Sequence, residues 1–168
     1  MNITTLWPTR LWLGEVDAAD LAQLSALADP ARDVDLTDAG LGVLADLEQA
    51  AAAVDPDAQL TWSHRLTTWR AGHYLGMARS AASVFAMTVV ASTGNDANQD
   101  SGAISLHDPR VAASNVALPG LPWGRPFKIS AAAGAAVAAP GWLAYSIAPL
   151  RDPHTMTVWL AEGSVLSR

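Results

Sequence analysis

From residue 59 to residue 163 the chain is a succession of short β-rich runs, and this spacing restricts the possible folds more than any single residue does. The runs are "LTWSHRLTTW", "SVFAMTVVAS", "GAISLH", "VAASNVAL", "PFKISAA", "AAVAA", "WLAYSIA" and "TMTVWLAEG", with Gly, Pro, Asn and Asp between them. β-branched and aromatic residues suit a pleated, half-buried surface, and turn residues every few positions bring each strand back beside the last. Short strands in this rhythm predict a sandwich or small barrel rather than βαβ units. In "WLAYSIA", period-two alternation puts Tyr145 and Ile147 on one face and Trp142, Ala144 and Ser146 on the other.

The first third of the chain reads differently. "TTLWPTRLWLG" predicts two short strands around Pro8. In "DAADLAQLSALAD", Leu21, Leu24 and Leu27 recur at helical spacing, with Asp17 or Asp20 near the start and Pro30 beyond the end. "TDAGLGVLADLEQAAAAVD" repeats the pattern through Leu41, Leu44, Leu47 and Ala51, with Thr37 as the expected N-cap. The expectation is one domain over 1–168, with a helical part at 17–54 and a β core at 59–163. "STGNDANQDSG", residues 92–102, is the most polar stretch and is expected to be an exposed loop.

Composition excludes several functions. With 51% hydrophobic and 15% charged residues, the chain has the apolar content for a packed core and does not read as disordered. It has no cysteine, which removes disulfides, zinc–cysteine sites, iron–sulfur clusters and thiol nucleophiles. A net charge of -6 with scattered arginines argues against nucleic-acid binding. "MNITTLWPTRLWLGEVD" has neither a basic start nor a long apolar core, and "SAAAGAAVAAPGWLAYSIAPL" is interrupted by Gly134, Pro140 and Gly141. The expectation is a cytoplasmic protein with no signal peptide and no membrane segment.

Three segments, in order, resemble the small bacterial and phage 2-oxoglutarate/iron(II) oxygenases. "WPTRLW" resembles their N-terminal aromatic-Pro-Thr-Pro strand. "GAISLHDPR" is similar to a family segment through Gly102, Asp108, Pro109 and Arg110. "GAAVAAPGWLAYSIAP" is similar to another through Gly134, Pro140, Trp142, Leu143 and Pro149. The resemblance covers nearly the whole chain. It implies a mainly β fold, the double-stranded β-helix or jelly roll, with the two N-terminal helices packed on the sheet.

The same resemblance implies a site, and there the chain departs from the family. Its members hold iron with two ligands close together on one strand and a distal histidine on another, leaving positions open for the 2-oxo acid and oxygen. Tyr145 stands where the distal histidine would be. The near pair falls in "GHYLGMARSAASVF", as Met77 and Arg79 or as Ala78 and Ser80; neither pair contains a histidine or a carboxylate. The family's 2-oxoglutarate anchor is an arginine opening the last long strand; "PHTMTVWL" puts His154 there, with Arg151 in the turn before it. Histidine lacks the permanent charge and the fork of a guanidinium. The expectation is therefore no metal and no cofactor.

Other chemistry is thinly supplied. His64, His73, His107 and His154 show no paired ligand spacing, and no nucleophile elbow, phosphate loop or dinucleotide fingerprint is present. The sole lysine is Lys128. Seven tryptophans are spread over the chain, and the alanine-rich strands need large side chains opposite them, a second chain or a ligand to fill the space.

Two functions from different classes follow. The first is a metal-independent enzyme of specialised biosynthesis, working by acid–base catalysis in a cyclisation, elimination or isomerisation. Tyr145, His154 and Arg79 would be its catalytic groups, and Arg110, Asp108, His73 and Trp142 would bind its small-molecule substrate. The second is a non-catalytic subunit that pairs with a related chain. An iron-dependent oxygenase is a third. A homo- or heterodimer is expected through aromatic and aliphatic surface.

Overall fold

A computed structural model of the protein describes residues 2–6, 9–37, 39–93, 100–110 and 124–166, with backbone only for 2–6. Strands β1 (Asn2–Leu6) and β2 (Thr9–Glu15) lead into helix α1 (Ala18–Leu27). A two-residue strand β3 (Val34–Asp35) and helix α2 (Gly42–Ala52) follow. The remainder is β: β4 (Leu60–Trp69), β5 (Leu75–Ala78), β6 (Val84–Thr93), β7 (Ile104–Leu106), β8 (Phe127–Ile129), β9 (Ala135–Pro140), β10 (Tyr145–Ile147) and β11 (Thr155–Val165). "VAASNVAL" lies outside the described residues, as does most of the polar loop; its last residues, Ser101 and Gly102, are buried. β5, which the runs of β-formers do not signal, is an addition.

The strands form two antiparallel sheets, a large one in the order β1-β2-β9-β6-β11-β4-β3 and a small one in the order β5-β10-β7-β8. They face each other as a jelly roll: from β4 onward the chain passes back and forth between the sheets, except that β7 and β8 are paired neighbours in the small one. Between them lies an apolar layer of Leu11, Phe85, Met87, Val89, Ile104, Leu106, Val137, Leu143, Ile147, Met156 and Val158. Period-two alternation sends the other face of β2, β6, β9 and β11 outward, beneath the helices. There Trp12, Trp159, Ala86, Ala136, Ala138 and Ala161 pack against Leu24 of α1 and Val43, Leu44, Leu47 and Ala51 of α2.

This second layer answers how alanine-rich strands are filled. A row of small residues, Ala138, Ala86 and Ala161, runs across the large sheet by direct pairing, with Trp12 at one end and His64 at the other. The indoles of Trp12 and Trp159 supply the missing volume, both essentially buried. Gly14 is required here: a Cβ at that position would stand 2.5 Å from the Trp12 ring.

The helices start as their chemistry dictates, with one difference from the sequence reading. Asp17 caps α1, its carboxylate accepting from the amides of Ala19 and Asp20 at 2.9 Å. Thr37 does not cap α2, which begins after Leu41. Its hydroxyl donates to Asp35 at 2.7 Å and accepts from the His64 amide at 3.1 Å, so it ties the β3 turn to β4 instead. α2 is held to the sheet by Glu48, whose carboxylate lies 2.6 Å from His64 Nε2, and the His64 ring stacks on Trp159.

Candidate functional site

The register of β5 against β10 decides which residues meet at the position the resemblance assigns to the metal. Tyr145 pairs with Ala78, and a bulge separates this pair from Ile147 and Leu75. Alternation then turns Ala78 and Ser80 toward the interior, while Met77 and Arg79 are exposed on the outer side. Of the two near pairs the sequence allows, Ala78 and Ser80 face Tyr145.

Across from Tyr145 stands the inner face of β11 and β4. Glu162 pairs with Ser63 and Leu160 with Arg65. Together with Phe85 and Met87 of β6 these residues line a pocket of about 50 Å³ around the tyrosine. The Tyr145 ring stacks on Phe85, with centroids 4.5 Å apart and planes at 29°. Ser80 donates its hydroxyl to Glu162, and accepts from the Ala82 amide at 3.1 Å. Gly141 lets the 80–82 turn close over this end of the roll, since a Cβ there would collide with the carbonyl of Ala82 at 1.8 Å. Burial pushes the Tyr145 phenol up from its ordinary pKa; Glu162 adds to the rise, and Arg65 opposes it. At neutral pH Tyr145 is a neutral hydroxyl in an aromatic stack.

The seven candidate residues do not form one site. His154 lies where β11 begins, at the opposite end from Glu162, and its Nδ1 shares a 2.9 Å hydrogen bond with the Ser101 hydroxyl. The expectation that it meets Tyr145 is corrected, because the strand carries the two apart. His73 sits in the turn after β4, where its Nδ1 accepts from the Arg70 amide at 3.2 Å and its carbonyl receives the Leu150 amide. Arg79 is also separated from Tyr145, by parity: it is on the other face of the small sheet. There it shares a groove with Asp108, Arg110 and Trp142, along with Met77, His107 and Ala144.

Sequence reasoning named Ser80 as one of two alternatives but did not single out Glu162, Arg65 or Ser63 as companions of Tyr145. One signal was present. In "TMTVWLAEG" the alternate residues Met156, Val158 and Leu160 form an apolar series, and Glu162 continues it with a charge. Pairing with Ser63 and Arg65 is non-local and leaves no trace in spacing.

The donor set does not fit an iron(II) ion. Ala78 offers no ligand atom, the Ser80 hydroxyl is engaged by Glu162, and the Tyr145 phenol holds its proton. Among the described residues no three of His, Cys, Asp and Glu come together as a metal group. Nor does His154, which the resemblance sets at the 2-oxoglutarate anchor, fit that role, because it is tied to Ser101 and carries no guanidinium.

Comparison with known proteins places the fold. No protein-family model matches the sequence, and no curated protein does. Among solved structures the chain is similar to a Pseudomonas putida prolyl-4-hydroxylase, with a TM-score of 0.66, 11% identity, and coverage of 94% of this chain and 92% of that one. It is also similar to the α-ketoglutarate-dependent carbocyclase SnoK of nogalamycin biosynthesis, with a TM-score of 0.62, 9% identity, and coverage of 92% and 79%. The epimerase SnoN of the same biosynthesis gives 0.58, 12% identity, and coverage of 90% and 75%. At such identities the likeness is one of fold: the chain has the jelly roll of the 2-oxoglutarate/iron(II) oxygenases, a fold that serves cyclase and epimerase members of natural-product pathways. No helix among the described residues is long and apolar enough to cross a membrane.

Proposed function

We propose that this chain keeps the oxygenase fold without its iron chemistry and serves as a non-catalytic subunit, paired with a related chain in a biosynthetic assembly. The observation that carries this reading is the stack of Tyr145 on Phe85, at the place the resemblance assigns to a distal iron ligand. A ring packed in this way occupies the room a metal and a 2-oxo acid would need. The remaining space, about 50 Å³, holds a few waters. Sites for small organic ligands run to several hundred Å³, roughly 300–1,000.

The test is elemental analysis and 2-oxoglutarate turnover of the purified protein, alone and with any related chain that co-purifies. The expected result is no stoichiometric iron and no turnover by this chain alone. One iron per chain, removed by a chelator and restored by iron(II) together with turnover, overturns the proposal.

A metal-free acid–base role has one observation in its favour. The Tyr145 hydroxyl, Glu162 and Arg65 line one mouth that opens to solvent, since Glu162 and Arg65 are exposed. In that reading Tyr145 would be a proton donor, because its raised pKa keeps it protonated, and Glu162 would be the base. Loss of a measured reaction in Tyr145→Phe supports it against the subunit role.

A further inference from the structure

The groove on the outer face of the small sheet differs in kind from the filled interior. It measures about 470 Å³, within the range of small-ligand sites. Its walls come from the end of β5, the β9–β10 turn and the segment after β7. One wall is apolar: Met77 is 70% exposed and the Trp142 indole 54% exposed. Large apolar side chains left in water beside each other are the ordinary mark of a surface that meets something.

The polar wall has an unequal charge balance. Asp108 is the acidic residue lining the groove, and its carboxylate is consumed within the protein. Its side chain is 3% exposed. It accepts from Arg110 Nε at 2.8 and 3.1 Å, from Arg110 Nη2, and from the amides of Arg110 and Gly124 at 3.1 and 3.3 Å. Arg110 and Asp108 thus cancel. His107 adds no charge: its Nε2 lies 2.8 Å from the Ser146 hydroxyl, and burial lowers its pKa. Arg79 remains, exposed and with no hydrogen bond or ion pair to any described residue. A concave surface of positive sign is thereby set into a chain of net charge -6.

We propose that this groove binds a small organic carboxylate with a flat apolar body. The carboxylate would take the Arg79 guanidinium, whose fork matches two carboxylate oxygens, and the apolar body would lie on Trp142 and Met77. A single uncompensated cation suits a monoanion better than a phosphate dianion. The site stands apart from the Tyr145 pocket, so it holds or fails independently of whether the chain is catalytic.

The test is calorimetric titration of the full chain with phenylacetate, beside acetate, benzyl alcohol and phenyl phosphate. Phenylacetate is expected to bind, with acetate and benzyl alcohol each about tenfold weaker or more because each lacks one half of the recognition. Arg79→Gln and Trp142→Ala should each weaken phenylacetate by about tenfold or more while leaving thermal unfolding unchanged, since both side chains are exposed. Tyr145→Phe should leave binding as it is. No phenylacetate binding at tens of millimolar, tighter binding of phenyl phosphate, or loss in Tyr145→Phe with Arg79→Gln unaffected would each overturn the proposal.

Discussion

The two faces of the small sheet were given opposite treatments by residues that are neighbours in sequence. Ala78 and Ser80 point inward to a tyrosine stacked on Phe85, where the space left is small and opens past Arg65 and Glu162. Met77 and Arg79 point outward to a groove about nine times larger by volume, 470 against 50 Å³, where the Trp142 indole and the Arg79 guanidinium have no ring or polar partner among the described residues. On the inner face Ser80 is matched to Glu162; on the outer face Asp108 is matched to Arg110, and Arg79 has no partner among the described residues. Period-two alternation means that one strand can lose a site on one side and keep a different surface on the other, at no cost to the fold.

The largest effect should come from rebuilding the interior. If Ala78, Ser80 and Tyr145 occupy the positions of the near pair and the distal ligand, then Ala78→His, Ser80→Asp and Tyr145→His together create a three-ligand face. The expected outcome is one divalent ion retained per chain through gel filtration, read by elemental analysis, where the parent retains none. The alternative set, Met77→His, Arg79→Asp and Tyr145→His, should retain none, because its first two side chains face the outer groove. Retention by the second set and not the first would reverse the assignment of faces.

Next in size is the packing difference between the faces. Phe85 is 2% exposed and supports the Tyr145 ring. Phe85→Ala should cost about 3–5 kcal/mol in denaturant unfolding, the lost transfer energy plus a cavity. Met77→Ala, on the open face, should change stability by no more than ~0.5 kcal/mol. Equal costs would mean that the groove is packed and not a free surface.

Much of this architecture is legible in the sequence, for identifiable reasons. Strand and helix periods are local, so Leu44, Leu47 and Ala51 mark one helix face and the alternation in "TMTVWLAEG" marks a half-buried strand. That Tyr145 lies in a short strand is also a local matter, since turn-formers at Pro140, Gly141 and Pro149 bound the run that holds β10. The β5 register was not legible, because a short strand with a bulge between Gly and Met gives no parity on which to choose between Met77/Arg79 and Ala78/Ser80. Grouping His154 with Tyr145 failed for a different reason. The two are close in sequence, but β11 starts at the far end of the roll, and its approach to Tyr145 is made by Leu160 and Glu162. Thr37 misled as a cap because its hydroxyl had a better partner across the fold, at His64.

A moderate effect is expected in acid, and it separates the groove's fixed ion pair from its unpaired cation. Hydrogen bonds from Arg110 chiefly, opposed by burial and helped by the amides of Arg110 and Gly124, hold the Asp108 carboxyl below the usual carboxylate range. A depressed folded-state pKa contributes stability above the unfolded value, about 3.9, and that contribution is lost as pH falls through the folded value. The unfolding midpoint should therefore drop on acidification below about pH 4, and Asp108→Asn should flatten that part of the profile. Arg79→Gln should leave the profile unchanged. A parallel drop in Asp108→Asn would place the acid-sensitive group elsewhere.

The smallest expected effect belongs to the Tyr145 hydroxyl, and it separates a filled interior from a reused one. Burial, then the charge of Glu162, raises its pKa, so the folded protein holds this proton more tightly than the unfolded chain does. Its contribution is intact below the unfolded value, about 10, and is lost as pH rises through the higher folded value. In a Tyr74→Phe background the tyrosinate absorbance of the folded protein should therefore appear above pH ~10, together with a falling unfolding midpoint. Tyr145→Phe keeps the ring, and so keeps the stack on Phe85. It should remove the alkaline loss and cost no more than ~1 kcal/mol at neutral pH, the value of one hydrogen-bonding group. If the ring is there to fill space, every other property of the protein and of any complex it forms stays the same. If the phenol gives up a proton in a reaction, the Phe variant keeps its stability and loses that reaction, and the choice between the two follows from this one atom.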